Sequence, residues 1–109
     1  MEIKVTKLND YTVVAISGRV DTMTAGDFEN GLIEVLEGGV SKLILDCSEL
    51  DYISSSGLRV FLVAQKKMMA GGGKLKLCCL KPEIMEIFDI SGFSSIFAIS
   101  TGLEEASAD

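Results

Sequence analysis

The chain has 109 residues, 48% of them hydrophobic, and carries a formal net charge of −6 from 16 acidic and 10 basic side chains. A chain of this length buries roughly two-thirds of the surface its unfolded form exposes, which fits one domain, and no apolar run approaches the ~20 residues that cross a bilayer. The acidic balance, with no cluster of Lys or Arg to follow a phosphate backbone, excludes nucleic acid as an expected partner. Histidine is absent, which removes the commonest general base and the commonest transition-metal ligand. The N-terminus, MEIKVTKLND, lacks the positive region, apolar run and cleavage site of a secretory signal, so a cytoplasmic location and no membrane partner are expected. Cys47, Cys78 and Cys79 are odd in number and lie in or beside strand-like segments; they read as reduced core residues, with no metal and no cofactor.

Residues 2–8 alternate, with Ile3 and Val5 opposed to Lys4 and Thr6, and a second β-rich run from Tyr11 to Ser17 follows the Asn9-Asp10 turn signal. A β-hairpin is predicted. Gly18 is expected to end it, and Asp21 or Thr22 to cap a helix carrying Phe28, Leu32, Val35 and Leu36, which Gly38-Gly39 ends. The unbroken run Leu43-Ile44-Leu45 marks a central parallel strand over 42–47, covered on both faces. A short polar turn then leads to Ser54, Ser55 and Ser56 before Gly57.

From Gly57 a second helix carries Leu58, Phe61, Leu62, Gln65 and Met69 on one side, while Val60, Val63 and Ala64 make its other side apolar too. Residues 70–73 stop it. Lys74 to Leu80 alternates, with Leu75, Leu77 and Cys79 opposed to Lys74, Lys76 and Cys78, as in a strand with one drier face. Pro82 starts a third helix running to about Ile90, with Ile84, Ile87 and Phe88 as its stripe and Gly92 at its end. Ile96 to Ile99 is read as a last strand, and Thr101 as the cap of a final acidic helix, with 103–109 expected to fray into a polar tail. The order ββαβαβαβα predicts an α/β fold in one domain spanning 1–109. Its mixed sheet is antiparallel at the hairpin and parallel afterwards.

The serines form the one constellation with chemistry in it. Ser55, with Gly57 two residues on, invites comparison with a nucleophile elbow. However, Ile53 stands where the first glycine belongs and no histidine can take the proton, so serine hydrolysis is a remote alternative. Gly71-Gly72-Gly73-Lys74 is followed by Leu75 where a phosphate loop needs Ser or Thr, and it lies between helix and strand in the wrong order. Asp46, Glu49 and Asp51 read as a solvated loop rather than a metal site or an acid/base pair. Ser54 or Ser55 can cap the helix, a contribution of about 1 kcal/mol. Phosphorylation at Ser56-Gly57 would instead add nearly two negative charges, partly offset by the helix dipole and Arg59, and would repel an acidic or apolar partner. The residues alone leave cap and switch both open.

Three segments resemble the STAS domains of bacterial anti-sigma factor antagonists, and together they extend the likeness over nearly the whole chain. ISGRVDTMTAGDFE at 16–29 is similar to the family's lead-in to the first helix, LILDCSELDYISSSGLRVFL at 43–62 to its phosphorylation segment, and FDISGFSSIFAI at 88–99 to its closing segment. The family's phosphorylated serine immediately precedes the glycine of D-S-S-G-L. That position here is Ser56, with Ser54 replacing the aspartate and Ser54 and Ser55 left as caps. The resemblance implies a non-enzymatic partner switch. The unphosphorylated protein binds an anti-sigma factor that is also a serine kinase using ATP, freeing a sigma factor; phosphorylation of Ser56 ends the binding, and a phosphatase resets it. Asp21, Ser54, Ser55, Ser56, Gly57, Leu58 and Arg59 would then lie at the contact surface. The alternative is a STAS subunit of a transporter or multiprotein signalling complex that uses this surface without phosphorylation.

Overall fold

The turn residues and the apolar alternation at the N-terminus close a hairpin. The computed structural model describes residues 1–108 and places β1 at Glu2–Leu8 and β2 at Tyr11–Val20, paired antiparallel from Glu2↔Ser17 to Leu8↔Tyr11. Asn9 makes the turn with φ 56°, a left-handed conformation that Asn tolerates better than most residues. Gly18 does not end β2. It takes φ 89°, and the strand continues to Val20 because parallel pairing to the next strand resumes beyond it at Arg19↔Tyr52 and Val20↔Ile53.

Helix α1 (Ala25–Glu37) follows, buries Phe28 and Leu32, and ends at Gly38, with Gly39 at φ 83°. Strand β3 (Lys42–Ile53) is twice as long as its apolar run suggests, because the stretch read as a polar turn is itself strand. Its pairing with β2 skips one β3 residue between Ala15↔Asp46 and Ser17↔Glu49, and another between Gly18↔Leu50 and Arg19↔Tyr52. These are two bulges, and they destroy the alternation by which a strand is recognised. Helix α2 (Ser55–Ala70), strand β4 (Lys74–Cys78) and helix α3 (Pro82–Ile90) come next. The glycines between α2 and β4 make a tight turn in which Gly73 N–H bonds Met68 O at 2.8 Å and a Cβ on Gly73 would lie 2.8 Å from Ser41 O.

A 3₁₀ turn at Phe93–Ser95 comes just before the region read as the last strand and is closed by the Ile96 N–H on Phe93 O at 2.9 Å, so β5 starts later than Ile96 and is Ala98–Ser100. The expected final helix forms as α4 (Leu103–Ala106), but its end is held where fraying was expected, with Ala106 and Ser107 buried. Apolar burial of Ala106 and a bond from Lys76 Nζ to Ala106 O at 2.9 Å hold it; Asp109 lies outside the described residues. Gly102, not Thr101, occupies the cap position, and the Thr101 hydroxyl bonds the Glu105 carboxylate at 3.1 Å.

The sheet order is β1-β2-β3-β4-β5, with every pairing after the first parallel. Because the order runs in one direction, the crossover helices α1, α2 and α3 pack on one face. There Phe28, Phe61, Phe88 and Phe97 meet Val14, Ile16, Leu43, Leu45 and Leu77 in the main core. Helix α4 covers part of the other face, over Tyr11, Val13, Ile44 and Cys78. Among the described residues no helix is long and apolar enough to cross a membrane.

Candidate functional site

The site is built where β2 and β3 both end. Val20 and Ile53 are paired there, and the Ser54 N–H bonds Val20 O at 2.8 Å, which fixes the point from which α2 departs. Ser54 has extended backbone angles, φ −92° and ψ 174°, and its hydroxyl oxygen accepts the Gly57 N–H at 3.2 Å. It is therefore the N-cap, satisfying one of the free donors of the first turn. Ser55 is exposed and Ser56 half-buried, one residue further into that turn, which carries no acidic side chain. The serines thus divide the work: Ser54 is spent on the helix, whereas Ser56 lies where a helix N-terminus favours an anion.

Gly57 is buried, and its role is packing rather than access. A Cβ there would lie 2.7 Å from Val20 Cγ1 and 2.8 Å from Ile53 Cγ1, closer than side-chain carbons approach. Gly57→Ala is expected to cost about 1–3 kcal/mol of stability despite alanine's better helix propensity, because both neighbours are stiff β-branched residues that cannot swing aside. Chemical denaturation followed by circular dichroism would measure it.

Leu58 does not belong to an exposed contact surface. It is 8% exposed and sits in the main core with Val60, Phe61, Ala64 and Met68, so α2 has one broad buried face. Met69, assigned to the apolar stripe from spacing, is 67% exposed; Met68 takes its place. Arg59 is exposed, but its guanidinium holds Glu29 of α1 at 2.7 Å rather than turning to Ser56.

Asp21 stands in the turn between β2 and α1. The helix cap position belongs to Thr24, three residues on; neither Asp21 nor Thr22 fills it, because the chain makes one more turn before α1 begins. Asp21 organises that turn: its carboxylate accepts the Met23 N–H at 2.9 Å and the Thr24 N–H at 3.2 Å. Partial burial pushes the Asp21 pKa up, but those two N–H groups, the Thr24 hydroxyl and Arg19 outweigh it and leave the pKa below its usual value. Arg19 in turn stacks 4.3 Å over the Tyr52 ring. Met23, beside Asp21, is 86% exposed and is the apolar surface that sequence reading missed. One methionine in a polar turn gives no periodic signal.

Among the described residues, Asp46, Glu49 and Asp51 do not gather into one cluster with each other. Asp51 pairs with Lys81 at 2.5 Å, whereas Asp46 is buried and accepts the Ser48 N–H at 3.0 Å. Around the helix start, Arg19, Arg59 and Lys81 are each engaged with a carboxylate: Asp21, Glu29 and Asp51, respectively.

Comparison with known proteins places this geometry in a family. A STAS domain profile matches residues 2–106. A Bordetella bronchiseptica protein provisionally named as the anti-sigma factor antagonist BtrV is 38% identical over 108 residues, covering 99% of this chain and 93% of its own. The anti-sigma-B factor antagonist of Bacillus subtilis is 33% identical over 91 residues, 84% of this chain and 83% of that one. Among solved structures, an anti-sigma factor antagonist from Mycobacterium paratuberculosis superposes with a TM-score of 0.89 at 21% identity, covering 98% of this chain and 91% of its own. The Bacillus antagonist SpoIIAA superposes in its unphosphorylated form with a TM-score of 0.73 at 17% identity, covering 99% of this chain and 96% of that one. Its phosphorylated form gives 0.71 at 20% identity, covering 96% of each. The chain belongs to the STAS domain family.

Proposed function

We propose that this chain is a cytoplasmic, non-enzymatic anti-sigma factor antagonist whose Ser56 is the phospho-acceptor of a partner switch. The observation that carries the reading is the division of the serines at the start of α2: Ser54 caps the helix, and Ser56 stands in the first turn without a capping duty. The sequence likeness to antagonists at 33–38% identity supports the same conclusion.

In the unphosphorylated state the partner, an anti-sigma factor with serine kinase activity, docks on the surface formed by the Asp21 turn, exposed Met23, Ser55, Ser56 and the exposed side of Arg59. Docking presents the Ser56 hydroxyl to ATP. Its oxygen bonds to the γ-phosphorus, ADP leaves, and the hydroxyl proton passes to a base of the kinase. The phosphate brings about −1.5 to −2 charges at neutral pH. The helix N-terminus accommodates it within the domain. Arg19, Arg59 and Lys81 already hold carboxylates, so most of the added charge faces the partner and weakens the complex. A phosphatase restores binding.

The test is incubation with a purified anti-sigma factor that has serine kinase activity, with and without ATP, followed by phosphosite mapping and a binding measurement. One phosphate on Ser56 with loss of the complex is expected. Phosphate on Ser54 or Ser55, or a complex that survives phosphorylation undiminished, would overturn the reading.

A further inference from the structure

Three metal-ligating side chains meet away from the serine helix, at the β3–β4 pair. They are Asp46 of β3, Cys78 at the end of β4 and Cys79 just past it, with one carboxylate oxygen and both sulfurs within 4.8 Å of one another. Asp46 and Cys78 are direct partners across the two strands. The two sulfurs are 3.3 Å apart. Consecutive residues of an extended strand send their side chains to opposite faces, so neighbouring thiols meet only if the backbone breaks that rule. Cys79 breaks it: its φ is 64°, in the left-handed region that residues other than glycine seldom occupy. Its N–H bonds Ser100 O of β5 at 3.3 Å, so the kink is fixed by the sheet.

The charge at this place is unbalanced. Asp46 is 8% exposed, and among the described residues its carboxylate has no ion pair, only the Ser48 N–H at 3.0 Å. A largely buried carboxylate without a cation is costly, and a divalent cation would give it a directly bound charge partner, the set keeping a net charge of −1 once both thiols are ionised. Oxidation of the thiols to each other is the weaker use. Adjacent Cα atoms are about 3.8 Å apart across a trans peptide, shorter than the roughly 4.4–6.8 Å of ordinary disulfides. Burial, together with the neighbouring Cys79, also holds the Cys78 thiol well above its usual pKa, and oxidants attack the thiolate. A metal ion, by contrast, deprotonates the thiol it binds.

We propose that Asp46, Cys78 and Cys79 form a site for a thiophilic divalent cation of the zinc type. Binding forms two metal–sulfur bonds and one metal–oxygen bond, releases two thiol protons to the solvent and leaves a fourth position open. Zinc–sulfur bonds of about 2.3 Å at tetrahedral angles place two sulfurs about 3.8 Å apart, within reach of small side-chain rotations here. Soft thiolate ligands favour such ions over magnesium or calcium. Half-buried Cys79 is the open side of the site, whereas Cys78 is covered by α4 through Ala106. The ion would pin β3 to β4 beneath that helix.

Titration of the fully reduced protein with cadmium, followed by the cadmium–thiolate charge-transfer absorption, tests the site, and zinc competition against a chromophoric chelator gives the affinity. One ion per chain is expected for the wild type and for Cys47→Ala, whose thiol lies in the core on the opposite face. Cys79→Gly removes a ligand while giving the left-handed position a residue that adopts it without strain, so it should fold and lose the absorption. Cys79→Ser should lose it too, and Asp46→Asn should bind at least tenfold more weakly. No absorption in the reduced wild type, absorption that persists in Cys79→Gly, or an Asp46→Asn affinity equal to wild type would overturn the proposal. A Cys78–Cys79 disulfide found by mass in place of metal would also do so.

Discussion

Phe61→Ala should remove about 3–5 kcal/mol of stability, the usual cost of deleting a fully buried aromatic ring. Phe61 is 0% exposed and is the hub of the ring cluster, with its centroid 5.5 Å from Phe28, 5.5 Å from Phe88 and 6.4 Å from Phe97. Those rings come from α1, from α3 and from the segment before β5, so one side chain of α2 ties together all three crossover connections. Its loss leaves a cavity that no single neighbour can fill, and the tilted and edge-on contacts go with it. Domains of this size have roughly 5–15 kcal/mol of total stability, so the variant would sit near its folding threshold. Urea denaturation measures the effect. Phe61→Leu, which keeps most of the volume, should lose less than half as much. Equal losses for the two variants would mean that the cavity is not the cause.

Ser56→Asp should weaken the complex with the anti-sigma partner by roughly 10- to 100-fold while leaving the fold unchanged, since a like charge forced against a partner surface costs a few kcal/mol. Aspartate carries less charge than phosphate and therefore reproduces only part of the switch. Ser54→Asp is the useful control. Aspartate caps helices as well as serine does, so the helix survives, and the new charge lies at the cap rather than in the first turn. Titration calorimetry with the purified partner separates the two. If Ser56→Asp binds as tightly as wild type, the surface serves a permanent assembly, as in a transporter or multiprotein signalling complex, and not a switch.

Local chemistry was readable wherever one residue decides a conformation. Asn9-Asp10 announced the hairpin, Pro82 opened α3, and the serines before Gly57 announced the start of α2. What the sequence concealed was set by pairing between distant segments. The bulges in β3 exist because β2 and β3 come back into register beyond them, and nothing in SELDY signals that locally. For the same reason Gly18 looked like a strand end, although it is a kink inside a strand that has a partner on both sides. At the site, Gly57 was legible as a helix-start glycine, but its contact with Val20 was not, since that residue lies 37 positions earlier in the chain. Leu58 was misplaced because both sides of α2 looked apolar in its first turns, and only packing decides which side the sheet takes.

The strand order has a further consequence for how the molecule assembles. Each strand pairs with the strand that precedes it in the chain, so none must be inserted between two already in place. The sheet can therefore extend at one edge while the polypeptide is still emerging, beginning from a hairpin that closes a loop of two residues. The serine helix lies between β3 and β4, at the midpoint of this growth. Its aromatic hub remains incomplete until α3 and the segment before β5 arrive with Phe88 and Phe97. A nascent chain that stops short of those residues would display α2 before its core exists, and the start of α2 would become rigid only once Phe97 has emerged.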